Sequence, residues 1–102
     1  MTLYVSESVV VELVNVLSSR VTYGLARAEV ERHLLNIFSL RGLRIPQQDT
    51  YRRALGLWVA TPQVREFVDL LTVAQMERLK IPTIASFDQD FDRFPQVSRL
   101  VP

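Results

Sequence analysis

Residues Val64 to Phe94 read VREFVDLLTVAQMERLKIPTIASFDQDFDRF, and this stretch decides the fold. It predicts a helix, a tight turn at Pro82, a short buried strand and an acidic loop. Apolar residues in the first half recur every three or four positions, which places them on one face of a helix and predicts that this face is core. The predicted core positions are Val64, Phe67, Val68, Leu71, Ala74 and Leu79.

Asp69 is an acid in an apolar part of this helix. The opposite face carries Val73 and Met76, and Asp69 lies between them in projection, so we expect a helix that is covered on both sides. Burying a carboxylate without a partner costs roughly several kcal/mol, comparable with the net stability of a small domain. Asp69 is therefore expected to have a cation, a hydrogen-bonding group or a water-filled cleft beside it.

The helix is expected to end near Lys80, because Pro82 cannot continue it. The following segment, Thr83 to Phe87, is short, apolar and partly β-branched, which is typical of a strand buried on both faces of a parallel sheet. Three acids come directly after it: Asp88, Asp90 and Asp92. Ligands of open α/β sheets bind beyond the carboxyl ends of the strands, so this loop is a candidate site.

The rest of the chain alternates short apolar strands with amphipathic helices, which indicates an α/β fold with a mainly parallel sheet. Glu12 is a second acid among apolar residues, since Val9 and Val16 lie three and four positions away. The predicted elements are a strand at Leu3–Val5, a helix from Ser6 to Ser19 capped by Ser6 or Ser8, a helix from Arg27 to Leu40 ended by Gly42, a strand at Leu43–Ile45, a helix from Gln48 to Ala60 and an edge strand at Val97–Val101.

Composition limits the function classes. The chain of 102 residues fits one domain, 1–102, and contains no cysteine, which excludes disulfides, zinc–thiolate sites and cysteine nucleophiles. No apolar run approaches the roughly 20 residues of a membrane span, so we expect a soluble, cytoplasmic protein. The formal net charge is +1, so nucleic-acid binding would need a local arginine patch, for which Arg52, Arg53 and Arg65 are candidates.

Several segments taken in order resemble the PIN domain, and most nearly the VapC-type toxins. The resemblance rests on SESVVVELVNVL, YGLARAEVERHLL, LRIPQQDTYRRAL, FVDLLTVAQ and IPTIASFDQDFDRF, and it runs from Val5 to Leu100. Each segment alone is either an amphipathic helix with an acid or a short strand. The five segments in this order are a more specific signal of the family than any one of them. The resemblance implies a three-layer α/β sandwich with a short, mainly parallel sheet.

The resemblance also implies a divalent-metal-dependent endoribonuclease. Glu12, Asp69 and Asp88 match the catalytic acids, and the same three with Asp90 would bind Mg²⁺ or Mn²⁺, which prefer hard oxygen ligands. Asp92 is a weaker, auxiliary match. The family further implies RNA as substrate, a homodimer and control by an antitoxin protein.

One part of the family pattern is missing. PIN domains open with a central strand that carries an aspartate, and nothing upstream of Glu7 is acidic here. Three explanations are open: the two half-sheets close on each other, a second chain lends a segment, or the sequence is a fragment of a longer product. We favour an altered sheet in a dimer. The alternatives to a nuclease are an inactive, PIN-derived interaction module and a small α/β protein whose likeness is coincidental.

Overall fold

The computed structural model describes residues 1–102, which form four helices, four short strands and one 3₁₀ turn. None of the helices has the length and apolar character needed to cross a membrane. In chain order the elements are β1 (Leu3–Tyr4), α1 (Glu7–Ser18), α2 (Arg27–Phe38), β2 (Leu43–Arg44), α3 (Gln48–Ala60), α4 (Phe67–Leu79), β3 (Thr83–Ala85), the 3₁₀ turn (Gln89–Arg93) and β4 (Ser98–Leu100).

The helices follow the sequence prediction closely. Helix α1 is capped by Ser6, whose Oγ accepts a hydrogen bond from the Val9 amide at 3.3 Å. Helix α3 has the predicted bounds, and α2 ends at Phe38, two residues earlier than predicted. Helix α4 ends at Leu79, followed by a left-handed Lys80 with φ of 58°. Glycine usually takes this position because it has no side chain to clash there.

Helix α4 begins at Phe67, so Val64, which was predicted to lie on the helix, belongs to the α3–α4 connection. Arg27 holds this connection in a non-helical conformation. The Arg27 guanidinium donates to one carbonyl oxygen in the last turn of α3 and to three in the α3–α4 connection, and it lies 4.7 Å from the centre of the Trp58 ring. The acceptors are Trp58 O at 2.7 Å, Thr61 O at 3.1 Å, Pro62 O at 3.3 Å and Val64 O at 2.8 Å. These bonds fix the direction in which α4 leaves the connection.

Helix α4 is covered on more than one side, as predicted. Leu70, Leu71, Val73 and Ala74 are all buried, so apolar residues on more than one side of the helix are covered. The Phe67 ring meets Trp58 of α3 edge to face, with ring centres 5.9 Å apart. The assignment of Val68 and Leu79 to the core was wrong, since they are 46 % and 53 % exposed. They lie on a ridge of α4 that the core packing leaves uncovered.

The sheet consists of two separate parallel pairs. Strand β1 pairs with β2, with Leu3 opposite Leu43, and β3 pairs with β4, with Thr83 opposite Ser98. No strand of one pair is hydrogen-bonded to a strand of the other. The parallel arrangement is therefore confirmed, and direct closure of the two half-sheets on each other is not observed.

Strand β3 differs from its prediction. It ends at Ala85 rather than Phe87, and Thr83, Ala85 and Phe87 are exposed, with only Ile84 half-buried. The expectation of a strand buried on both faces was wrong because β3 belongs to a two-stranded sheet that the helices do not cover on both sides.

Candidate metal centre

The acidic loop follows β3, and its backbone turns are held by its own polar side chains. The Asp88 amide donates to Ser86 Oγ at 3.0 Å, and Asp88 Oδ1 accepts from the Asp90 amide at 2.9 Å. Aspartate favours such turns because its carboxylate reaches an amide two residues on. One oxygen of Asp88 is thus used in the turn, and the carboxylate keeps further acceptor capacity.

Two aromatic residues anchor this loop on the core. Phe91 and Phe94 are 5 % and 6 % exposed, whereas their neighbours Asp92 and Arg93 are exposed. Arg99 of β4 donates to both carboxylate oxygens of Asp92 at 3.0 Å. The loop therefore has a fixed path from β3 to β4.

Asp69 reaches the same place from the first turn of α4. Asp69, Asp88 and Asp90 each offer a carboxylate oxygen, and these oxygens lie within 4.8 Å of one another. Asp69 and Asp90 are half-buried, and Asp88 is exposed. We call these three residues the aspartate cluster.

The electrostatics of the aspartate cluster are unfavourable without a cation. Partial burial raises the pKa of Asp69 above its usual value, and the negative charges of Asp88, Asp90 and Glu66 raise it further. Asp69 makes no ion pair and no side-chain hydrogen bond, so the partner expected from the sequence is not supplied by the protein. Asp90 and Asp88 each have an arginine nearby. Arg93 Nε lies 3.5 Å from Asp90 in an exposed pair, and Asp88 is close enough to Arg99 for its charge to help raise the pKa of that guanidinium.

The residues present fit a divalent cation. Mg²⁺ and Mn²⁺ bind carboxylate oxygens and keep several waters, so three carboxylates at one point form a suitable partial ligand set. The raised pKa of Asp69 has a like-charge component that a bound cation would relieve. Asp88 is exposed, so one side of the cluster is open to solvent.

Two other predicted acids lie elsewhere. Glu12 is exposed on α1 and is not among the carboxylates of the aspartate cluster. Its neighbours Val9 and Val16 are 39 % and 38 % exposed, so the expected apolar setting of Glu12 was wrong. Asp92 is paired with Arg99, whose hydrogen bonds lower the pKa of the Asp92 carboxyl.

The predicted arginine patch does not form. Arg52 donates to Gln48 and lies 5.8 Å from the centre of the Phe38 ring, while Arg53 pairs with Glu77 at 3.0 Å. Arg65 lies apart from them beside α4, near Arg20 and Arg27.

Sequence reasoning missed Arg27, which positions the segment before Asp69. Its acceptors are backbone carbonyls, so no acidic residue elsewhere in the sequence signals the interaction.

Comparison with known protein families finds a match to the PIN domain over residues 1–97. Searches of curated proteins and of solved structures find no significant match. The PIN domain indicates a nuclease function in general, with RNA as the substrate class, and PIN domains generally depend on divalent metal. With nearly all of its length matched and a mixed helix and parallel-strand architecture in place, the chain belongs to the PIN domain family.

Proposed function

We propose that this protein is a divalent-metal-dependent endoribonuclease of the VapC toxin type, with the aspartate cluster as its metal centre. The observation that carries the proposal is the convergence of Asp69 from α4 with Asp88 and Asp90 from the loop after β3. The family match supports the nuclease class.

Asp69 and Asp88 have distinct roles in this proposal. Asp69 is the half-buried acid without a protein partner, so it gains most from a cation. Asp88 accepts a hydrogen bond from the Asp90 amide and thereby fixes its own carboxylate relative to that of Asp90. A bound Mg²⁺ or Mn²⁺ would supply an activated water and stabilise the charge that develops on the phosphate.

Glu12 enters the proposal through the family resemblance alone. It lies on the exposed face of α1, outside the aspartate cluster. We therefore assign the cation to the three aspartates and treat Glu12 as a candidate catalytic acid whose contribution is measured separately.

The proposal extends to partners. Both two-stranded sheets have open edges, and Leu3, Tyr4, Val9 and Phe87 are exposed apolar side chains on or near them. Unpaired strand edges and exposed apolar groups favour association with another chain. We propose a homodimer and, for a VapC-type toxin, an antitoxin protein as the controlling partner.

The proposed activity is tested by incubating the purified chain and single-stranded RNA with Mn²⁺, with Mg²⁺ and with EDTA. We expect slow cleavage that needs the metal and is lost in Asp88→Asn. Asparagine can still accept the hydrogen bond from the Asp90 amide, so this variant removes charge while keeping the turn. The control is Asp92→Asn, in the same loop but bound to Arg99. Equal cleavage by the native chain and Asp88→Asn would contradict the proposal.

The second candidate function is a PIN-derived interaction module without catalysis. The division of the sheet into two pairs favours it, since an open sheet edge is a common place for another chain to bind. Cation binding without RNA cleavage at any metal concentration, together with a stable dimer, would support this alternative.

A further inference from the structure

A pocket lies where α1 ends and α4 begins. It has a volume of about 760 Å³, within the roughly 300–1,000 Å³ typical of ligand sites. Arg20, Arg27 and Arg65 line it together with one acid, Glu66. We call it the arginine pocket.

The arginine pocket is built to attract an anion. Arg20 makes no ion pair, and the Arg65 side chain is 92 % exposed, with only a loose pair to Glu66 at 3.8 Å. Arg27 bonds to neutral carbonyl oxygens, so its positive charge is not cancelled. The pocket wall therefore carries three positive charges and one negative charge, and the negative charge, on Glu66, is paired with Arg65.

The wall of the pocket includes Trp58 and the start of helix α4. Trp58 lines the pocket and is 3 % exposed, and its indole Nε1 is buried without an acceptor. Helix α4 also starts here with no side-chain cap at Glu66, and uncapped helix N-termini favour phosphate groups.

The pocket and the aspartate cluster both adjoin the start of helix α4. Glu66 and Phe67 line the pocket, and Asp69 lies in the same first turn of α4. Glu66 is close enough to Asp69 for its charge to help raise the pKa of that carboxyl. A nucleic-acid strand in the pocket could thus extend to the cluster.

We propose that the arginine pocket binds the sugar–phosphate backbone of the RNA strand next to the phosphate that is cleaved. This inference rests on the proposed ribonuclease function and adds the residues that position the substrate. Arg20 and Arg65 contact phosphate oxygens. Arg27 is a positioning residue that keeps Trp58 and the start of α4 in place.

The test is RNA binding in EDTA, which needs no cation and permits no metal-dependent cleavage. A fluorescein-labelled, single-stranded oligoribonucleotide is titrated with the protein, and anisotropy is recorded at several salt concentrations. The double variant Arg20→Gln/Arg65→Gln is compared with Arg32→Gln/Arg41→Gln, which removes two exposed arginines from outside the pocket. Circular dichroism verifies that both variants fold.

We expect the pocket variant to bind RNA about tenfold more weakly. The slope of log affinity against log salt should fall by about 1.4, or roughly 0.7 per lost phosphate contact on a single strand. The control variant should change both quantities much less. Equal losses in the two double variants would show diffuse charge attraction and overturn the inference.

Trp58 gives an independent readout because it is the only tryptophan of the chain. RNA binding should change its emission in the native protein and in the control variant. Saturating RNA with no change in Trp58 emission would overturn the inference. The two proposals can fail separately. Native RNA affinity in the pocket variant would refute the RNA-binding role of the arginine pocket and leave metal-dependent cleavage standing. RNA binding in the pocket without any cleavage would refute the ribonuclease function.

Discussion

A carboxylate oxygen of Asp69 lies within 4.8 Å of one of Asp88, although the first residue belongs to helix α4 and the second to the loop after β3. Like charges at this separation oppose each other, and Asp69 has no cation of the protein beside it. The native fold therefore maintains an unfavourable arrangement that a divalent cation would make favourable. Such local destabilisation is common where a site serves function rather than stability.

Asp69→Asn should raise the melting temperature of the metal-free protein at neutral pH. The variant removes a half-buried charge that burial and three neighbouring acids disfavour. Asp92→Asn is the matched control because it removes the same charge from an exposed acid that Arg99 stabilises, so it should lower the melting temperature slightly. Scanning calorimetry in EDTA measures both. A lower melting temperature for Asp69→Asn than for the native chain would contradict the electrostatic account.

The same two variants should differ in their pH dependence. The pKa of Asp69 is raised in the folded state, so its charge costs stability above that pKa, and the cost disappears as the pH falls toward the ordinary value of 3.8. The advantage of Asp69→Asn should therefore be full at neutral pH and vanish in acid. The pKa of Asp92 is lowered, so its contribution to stability is present above 3.8 and is lost as the pH falls further. Urea unfolding at a series of pH values tests both directions. An advantage of Asp69→Asn that grows on acidification would have the wrong sign.

Arg27→Met should destabilise the chain by about 2–4 kcal/mol. The variant keeps an apolar side chain near Trp58 but removes the donors to carbonyl oxygens at the end of α3 and in the α3–α4 connection. Two of these oxygens are bonded at 2.8 Å or less. Chemical denaturation gives the free energy of unfolding. Arg32→Met, on the exposed face of α2, is the matched control and should change it by less than about 0.5 kcal/mol. Equal effects of the two substitutions would mean that the Arg27 bonds contribute nothing.

The sequence predicted the helices well because their boundaries depend on local signals. The serine before α1 and the proline after α4 are visible in the chain, and both mark observed ends. The start of α4 and the exposure of Val68 were not predictable in this way. They depend on Arg27 and on which ridge of α4 the core covers, and both are long-range relationships.

The candidate site was predictable in part, because local sequence signals also mark its residues. Asp88 and Asp90 follow a strand directly, and Asp69 is conspicuous in an apolar helix, so residue type and position suggested all three. Glu12 looked equivalent to Asp69 in the sequence, but periodicity alone does not tell a buried face from an uncovered one. The structure leaves the Val9, Glu12 and Val16 face of α1 open to solvent.

Glu12→Gln tests whether Glu12 binds the metal, as the PIN resemblance implies, or lies outside the metal centre, as its position on α1 indicates. Because Glu12 lies outside the aspartate cluster, its substitution should change Mn²⁺ affinity less than about twofold, whereas Asp88→Asn should weaken binding by about tenfold or more. Titration calorimetry with Mn²⁺ measures both affinities. Equal losses in the two variants would place Glu12 in the metal centre and show that α1 approaches the cluster when the cation binds.

The central claim is that Asp69, Asp88 and Asp90 bind one divalent cation. The most direct measurement is a titration of the metal-free protein with Mn²⁺, in which the electron paramagnetic resonance signal of free Mn²⁺ reports how much is bound. We predict one tightly bound ion per chain in the native protein and in Asp92→Asn, and its loss in Asp69→Asn. No binding by the native protein at millimolar Mn²⁺, or unchanged binding by Asp69→Asn, would contradict the claim.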